Sequence, residues 1–316
     1  IHTEHMRETG VLDPTVVLAD IATLTKNYSG AEIKGLVRNA ANQALYRNVD
    51  QSNPQKIISN EVHVGMPDFT AAFAEIQPLF GAGAHFPAGG ETLLEYPGAR
   101  STWDHMARYA VQVAGPGPQG SLVSVLIHGP SGSGKTALAY RLAHECGSPY
   151  YRIISPNDLY SYGEAGKRDR ITKIFEDAYK SPSACIILDN LERLIEWTSL
   201  GSRYSQSILQ CLMTLLQKEP PQGHTLLIVG TTANRGAIAD LDLYDQFMGH
   251  QYMGALETSA IRFVLKENNV PEITILSIFN RLGTESIPIK KVLAALAMAQ
   301  TRGSLNPDIL VGCLCN

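Results

Sequence analysis

Apolar residues recur at three- and four-residue steps through Ile33, Leu36, Val37, Ala40, Ala41, Ala44 and Leu45, the spacing of a helix with one buried face. Ser29 stands ahead of that run with Glu32 three residues on, so the pair predicts an N-cap and its capping box. A second helix is expected to start at Asp68 and to run through Phe69, Phe73 and Ile76. Helices with a single apolar face must bury it against a neighbour, and residues 1–80 are expected to form a separate all-α subdomain. Residues 81–98, GAGAHFPAGGETLLEYPG, hold five Gly and two Pro and show no period, which predicts a linker over 81–100.

Beyond the linker, short β-rich runs alternate with helical stretches: Leu122–Ile127, Tyr151–Ile154, Cys185–Leu188, Leu226–Val229 and Gln251–Leu256. Such alternation predicts a parallel sheet with helices on both faces, an α/β core over residues 101–258. From Ser259 to Asn316 the chain reads as helical again, with Pro288 opening a segment through Val292, Leu293, Leu296 and Met298.

The first β-rich run leads straight into Gly129-Pro130-Ser131-Gly132-Ser133-Gly134-Lys135-Thr136, followed by Ala137 and a helical stretch. This is the phosphate-binding loop pattern GxxxxGK[ST] in its strand–loop–helix setting. Glycines let successive backbone N–H groups turn towards a phosphate, and the following helix adds its positive end. Lys135 is expected to reach the β- and γ-phosphates of ATP, and the Thr136 hydroxyl to ligate Mg²⁺. Asp189, at the end of Cys185–Leu188, is the companion acid that would hold the same ion. The run Tyr151–Ile154 falls between the loop and Asp189. That extra strand points to ATPases whose acid-bearing strand is separated from the first, and argues against a GTPase or a small-molecule kinase.

Where such sites carry a carboxylate to activate water, this chain has Asn190. Glu192 is a weak substitute, expected to lie past the strand tip at the start of a helix with Arg193 and Glu196. In Gly230-Thr231-Thr232-Ala233-Asn234, Thr232 is the candidate γ-phosphate sensor, because Ala233 holds the usual Asn position and Asn234 comes one place late. Residues 236–261 contain no arginine that could complete a neighbour's site. The site therefore reads as one that holds ATP and hydrolyses it poorly. A second glycine-containing stretch, Gly163–Arg168, fails the spacing of a phosphate loop. Nearby Tyr160 and Tyr162 could grip a polypeptide in a central pore, although a solvated or packing role is the plainer reading.

At 316 residues the chain can build more than one core without metal or disulfide staples. With 44% hydrophobic residues, 18% charged residues and a formal net charge of −4, nothing general favours nucleic acid or an anionic membrane as partner. The five cysteines, Cys146, Cys185, Cys211, Cys313 and Cys315, lack zinc-site spacing and suit a reducing compartment. Cys313 and Cys315 could bind metal, but a terminal packing role is favoured. No apolar run approaches the roughly 18 residues of a transmembrane helix. The chain opens on Ile1, and a piece of a longer protein is expected.

Several separated stretches bring a family into view. IHTEHMRETGVLD and LTKNYSGAEIKGLVRNAANQAL resemble the helical lid of the first ATPase domain in the vesicle-fusing AAA+ ATPases, the N-ethylmaleimide-sensitive fusion proteins. GPSGSGKTALA, IFEDAYKSPSACIILDNLERL, KEPPQGHTLLIVGTT and IPIKKVLAALAMA resemble the second ATPase domain of the same family, in the same order. The resemblance implies an AAA+ P-loop domain at 101–258 with a C-terminal helical lid at 259–316, preceded by the all-α lid of an upstream domain at 1–80. It also implies ATP and Mg²⁺ as cofactors and a homo-hexamer held together by ATP in the second ring. The first ring of the family hydrolyses ATP to pull apart SNARE complexes through SNAP adaptors, in the cytoplasm and peripherally on vesicle and organelle membranes.

By the same resemblance, Lys290 or Lys291 becomes the lid lysine that contacts phosphate, where the residues alone allow a solvated helix start. A lysine that the family supplies to the neighbouring subunit falls near Lys218, with Gln217 the better-aligned position. Gly30 and Ala31 would lie near a nucleotide held mainly by the upstream domain, or simply begin a helix. Two rivals remain at this level: a segregase-type protein unfoldase with two active rings, and an ATP-dependent scaffold without turnover.

Overall fold

The computed structural model describes residues 3–25, 28–48, 62–76, 96, 98–114, 121–200, 203–282, 286–301 and 304–315. They fall in two units, Ile1–Ala84 and His85–Asn316; most of the stretch expected to be a linker lies outside the described residues. The first unit contains α1 (Glu4–Glu8), α2 (Leu18–Leu24), α3 (Gly30–Arg47) and α4 (Met66–Glu75). The Ser29 hydroxyl accepts from the Glu32 N–H, and the Glu32 carboxylate accepts from the Ser29 N–H at 2.6 Å, so α3 opens on a full capping box. Helix α4 starts at Met66, two residues before the sequence-based expectation. Pro67 suits the first turn, which moves the cap back to Gly65. Asp68 accepts from the Gly65 N–H at 2.9 Å and pairs with Arg47 at 3.1 Å. The helices close on Leu36, Val37, Ala40, Ala44, Phe69 and Ala72, joined by Leu12 and Val64 from a short parallel bridge.

In the second unit, α5 (Ala99–Ala114) precedes β1 (Ser121–His128), α6 (Lys135–Glu145), β2 (Tyr150–Ile154), α7 (Pro156–Leu159) and α8 (Glu164–Ala178). Next come β3 (Ser183–Leu188), α9 (Leu191–Leu194), α10 (Gln206–Gln217), β4 (Thr225–Thr232), α11 (Arg235–Asp240) and β5 (Gly249–Tyr252). All five strands are parallel, in the order β2-β3-β4-β1-β5. The acid-bearing β3 is thus separated from β1 by β4, and β2 forms an edge. Strand β5 begins earlier and ends sooner than the expected Gln251–Leu256. Past Tyr252 the chain leaves β1, and Leu256 instead bridges to Ile287.

The central strands β1, β3 and β4 are buried on both faces, as a sheet covered by helices requires, while the edge strands β2 and β5 are only partly covered. Leu126, Ile186 and Ile228 pack with Phe175 of α8 and Leu212 of α10. On the opposite face Val125, Ile127 and Val229 pack with Met106 of α5 and Leu138 and Leu142 of α6. The remaining helices, α12 (Thr258–Glu267), α13 (Glu272–Leu282), α14 (Ile289–Ala299) and α15 (Pro307–Cys315), share a third core. A hairpin of β6 (Gln300–Thr301) and β7 (Ser304–Leu305) joins the last two helices. Within α14, Val292 and Leu296 are buried while Leu293 and Met298 are exposed, so the apolar stripe is narrower than the sequence suggests.

Core and cap contribute differently to the first unit. Phe69 is fully buried, and Phe69→Ala is expected to cost about 3–5 kcal/mol. Ser29→Ala should cost only about 1 kcal/mol. Urea titrations followed by circular dichroism should show that ordering; equal losses would assign the unit's stability to the cap instead of the core.

Candidate functional site

Between β1 and α6 the backbone makes a turn that side chains obstruct. Gly129, Gly132 and Gly134 have φ values of +152°, +77° and +97°. A Cβ on Gly129 would lie 2.0 Å from the Met253 carbonyl oxygen, so no side chain fits there. The loop carries its lysine inward: Lys135 is 6% exposed, and its ammonium donates to the carbonyls of Gly129 at 2.9 Å and Pro130 at 2.7 Å. Burial lowers the Lys135 pKa, opposed by the nearby Glu192 and Asp189 carboxylates. The Ser133 hydroxyl, buried in the same loop, has no hydrogen-bond partner.

Asp189 leaves the tip of β3 with both oxygens hydrogen-bonded and acceptor capacity to spare on Oδ2. Oδ1 accepts from the hydroxyls of Thr136 at 2.7 Å and Thr231 at 2.8 Å, and Oδ2 accepts from the Asn190 amide at 2.8 Å. Asn190 is left-handed at φ 55°, ψ 63°, and its N–H donates to Thr231 Oγ1. Among non-glycine residues Asn tolerates that conformation best. Thr231 escaped sequence reading, since two successive strand threonines give no sign of which one turns to the acid.

These residues fit a magnesium nucleotide. Left-handed glycines, an orphaned buried hydroxyl and a lysine bonded only to its own loop suit phosphate oxygens. Thr136, its proton committed to Asp189, offers lone pairs to a hard cation. Among the described residues no group of three or more His, Cys, Asp or Glu could hold a metal by itself, so an ion here would also need phosphate oxygens and water.

Glu192 lies past the tip of β3 in the first turn of α9 with Arg193, as expected, while Glu196 falls outside that helix; the Glu192 carboxylate nevertheless turns back into the site. The left-handed turn at Asn190 folds α9 back against the sheet and buries Leu191. Glu192 Oε2 then accepts from the Thr232 hydroxyl at 2.7 Å, and Oε1 from the Ala233 N–H at 3.0 Å. Asn234 faces away as the N-cap of α11, accepting from the Ala237 N–H.

From the helical bundle, the Lys290 N–H donates to the Gly132 carbonyl at 3.0 Å, and the Lys290 stem covers that glycine. Both lysines are exposed, and the Lys291 N–H bonds within the first turn of α14. The structure thus brings Lys290, and not Lys291, to the loop. Met253 packs its methyl on Gly134 and also lines a cavity of about 400 Å³ with Tyr96, Gly98, Thr102, Tyr252 and Leu256. Gln217 donates to Gln246, and Lys218 lies over the Tyr179 ring at 4.9 Å. Tyr160 is exposed, and Arg170 lies 5.7 Å from the Tyr162 ring. Residues 164–168 form the first turn and a half of α8.

Comparison with known proteins agrees with this fold. Residues 125–253 match the ATPase family associated with various cellular activities (AAA), and residues 15–59 match the AAA+ lid domain. The chain is 40% identical over 251 residues to a vesicle-fusing ATPase of Dictyostelium discoideum, covering 78% of this chain and 34% of the relative. It is 39% identical over 254 residues to the vesicular-fusion protein SEC18 of Saccharomyces cerevisiae, covering 78% and 33%. A vesicle-fusing ATPase of Arabidopsis thaliana is 36% identical over 304 residues, covering 95% and 41%. The chain therefore spans between 33% and 41% of the length of these relatives.

His128, the last residue of β1, is buried beside the rings of Tyr244 and Tyr252. Burial lowers its pKa, and the charges of Arg235, His250 and Lys135 lower it further. The unfolded chain therefore binds a proton on this ring at higher pH than the folded one does. Stability is full above about pH 6.5 and falls as pH drops below it. His128→Gln should flatten that fall when urea unfolding is compared at about pH 7.5 and about pH 5.5; an unchanged slope would assign the acid loss to other groups.

Proposed function

Because this chain belongs to the AAA ATPase family, and within it to the vesicle-fusing ATPases, we propose that its second unit binds Mg·ATP and holds it with little hydrolysis. The observation that carries this reading is the Asn190 amide donating to Asp189, beside the phosphate loop, where water activation requires a carboxylate. An amide can donate a hydrogen bond to water but cannot take its proton. A positioned base is worth about 10²–10⁴-fold, and an arginine finger about 10³–10⁵-fold. With Asn190 in place of the base and no arginine at 236–261, both factors are absent from these positions. Glu192 does not replace the base, since its oxygens are already bonded to Thr232 and Ala233.

In this reading the loop N–H groups of residues 129–137 hold the phosphates, and Lys135 leaves its two loop carbonyls for the β- and γ-oxygens. Thr136 and Asp189 hold Mg²⁺, which supplies charge neutralisation. Lys290 approaches the phosphates from the lid, and the cavity beside Met253 takes the base. The second unit comprises the P-loop core at 101–258 and its lid at 259–316, and residues 1–80 are the lid of an upstream ATPase domain.

Bound ATP bridges core and lid near a neighbouring subunit, so its binding energy adds to association by linkage. The assembly is a homo-hexamer. The names of the relatives support a role for the whole protein in vesicle transport: disassembly of SNARE complexes through SNAP adaptors, in the cytoplasm and peripherally on membranes. The parts that contact SNAPs and SNAREs lie largely outside this chain.

Isothermal titration of the chain with Mg·ATP should show binding without steady-state turnover, and mass measurement should show a hexamer that depends on ATP. Lys135→Ala should abolish both. Rapid hydrolysis that Glu192→Gln removes would transfer the base role to Glu192 and overturn the holding function.

Asn190→Glu should restore at most weak hydrolysis in a single-turnover assay of the assembled ring. Glu is also less tolerant of the left-handed backbone at 190, which should cost about 1–2 kcal/mol of stability. A rate typical of active ring ATPases would show that an arginine finger is supplied from elsewhere in the chain.

A further inference from the structure

Thr232 is fully buried and its hydroxyl is fixed from two sides. The oxygen accepts from the Asn234 N–H at 3.1 Å, and the single proton goes to Glu192 Oε2 at 2.7 Å. The other carboxylate oxygen holds the Ala233 N–H. This cluster borders the phosphate loop: Thr232 pairs in register with His128, and the Gly129 N–H donates to the Thr232 carbonyl at 3.3 Å. The Glu192 carboxylate also acts on the Lys135 ammonium, the group that would hold the outermost phosphate.

We propose that Glu192 is a positioning residue that sets the discrimination between nucleoside triphosphate and diphosphate by holding the Thr232 hydroxyl proton against a terminal phosphate. The proposal rests on the reading that the loop holds nucleotide phosphates. One hydroxyl proton cannot serve two strong acceptors, so a γ-phosphate reaching Thr232 must displace Glu192. Its negative charge also meets the half-buried Glu192 carboxylate, and two like charges at short range repel. A diphosphate stops one phosphate short and meets neither cost. Glu192 therefore weakens ATP binding selectively, and Thr232 reads the terminal phosphate only after the carboxylate yields.

The test is competition binding of Mg·ATP and Mg·ADP against a fluorescent nucleotide, on the whole chain. Glu192→Gln keeps the size of the side chain and an acceptor oxygen while removing its charge. It should raise the ratio of ATP to ADP affinity about tenfold, with ADP changing less than about twofold. Thr232→Val should shrink that effect when combined with Glu192→Gln, and Thr232→Ser, which keeps the hydroxyl, should restore it. Equal changes for both nucleotides, or additive effects in the double variant, would overturn this proposal alone. Failure of the unmodified chain to bind either nucleotide would overturn the preceding reading and this one with it.

Discussion

The Asp189 carboxylate is the fixed point of the nucleotide-binding unit. Three donors converge on it: Thr136 from the start of α6, Thr231 from β4 and the amide of its own neighbour Asn190. At 7% exposure it is nearly removed from water, and a buried charge survives there only because every oxygen is bonded. The same bonds lock the tip of β3 to β4 and to the helix that follows the phosphate loop. The position of the loop over the sheet therefore depends on one anion that lies on a different strand.

That dependence explains the placement of the other groups. Strand β4 lies between β3 and β1, and its two terminal threonines, alternating across the sheet, meet different partners: Thr231 binds the acid after β3, and Thr232, in register with His128, bonds to Glu192. Asn190 adopts a left-handed turn immediately after the acid, and this reversal carries Glu192 back to Thr232. One departure from the usual residue at the strand end thus goes with two local consequences: an amide bonded to the acid, and a second carboxylate bonded at the strand tip.

Legibility in the sequence followed the range of the interactions involved. The capping box at Ser29, the phosphate loop and four of the five strands depend on neighbours in the chain or on short periods, and each could be read. The C-terminal limit of β5 could not, because Leu256 leaves the strand to bond with Ile287, thirty-one residues away. Asp68 misled for a different reason: an acid near a helix start serves as a cap or at the third position, and Pro67 decides between them. Lys290 and Lys291 were equivalent as letters. Only the turn of α14 onto Gly132 separates them.

The placement of Glu192 carries the largest consequence for chemistry, and it could not be read from spacing. By position it is two residues from the place of a catalytic base; by geometry it is bonded to the strand that would read the terminal phosphate. A carboxylate that accepts a hydroxyl proton on one oxygen and a backbone N–H on the other has both oxygens held by the protein, whereas a base must present one to water. Asn190 has no proton-accepting group of useful basicity, and Glu192 has one that is already engaged. In the proposed ATP complex Asn190 leaves water unactivated, and Glu192, bonded to Thr232 and Ala233, is not free to act as the base even though its charge weakens triphosphate binding. Persistence of the triphosphate then follows from how the hydrogen bonds are distributed over two acidic and amide side chains, and does not require the site to be short of carboxylates.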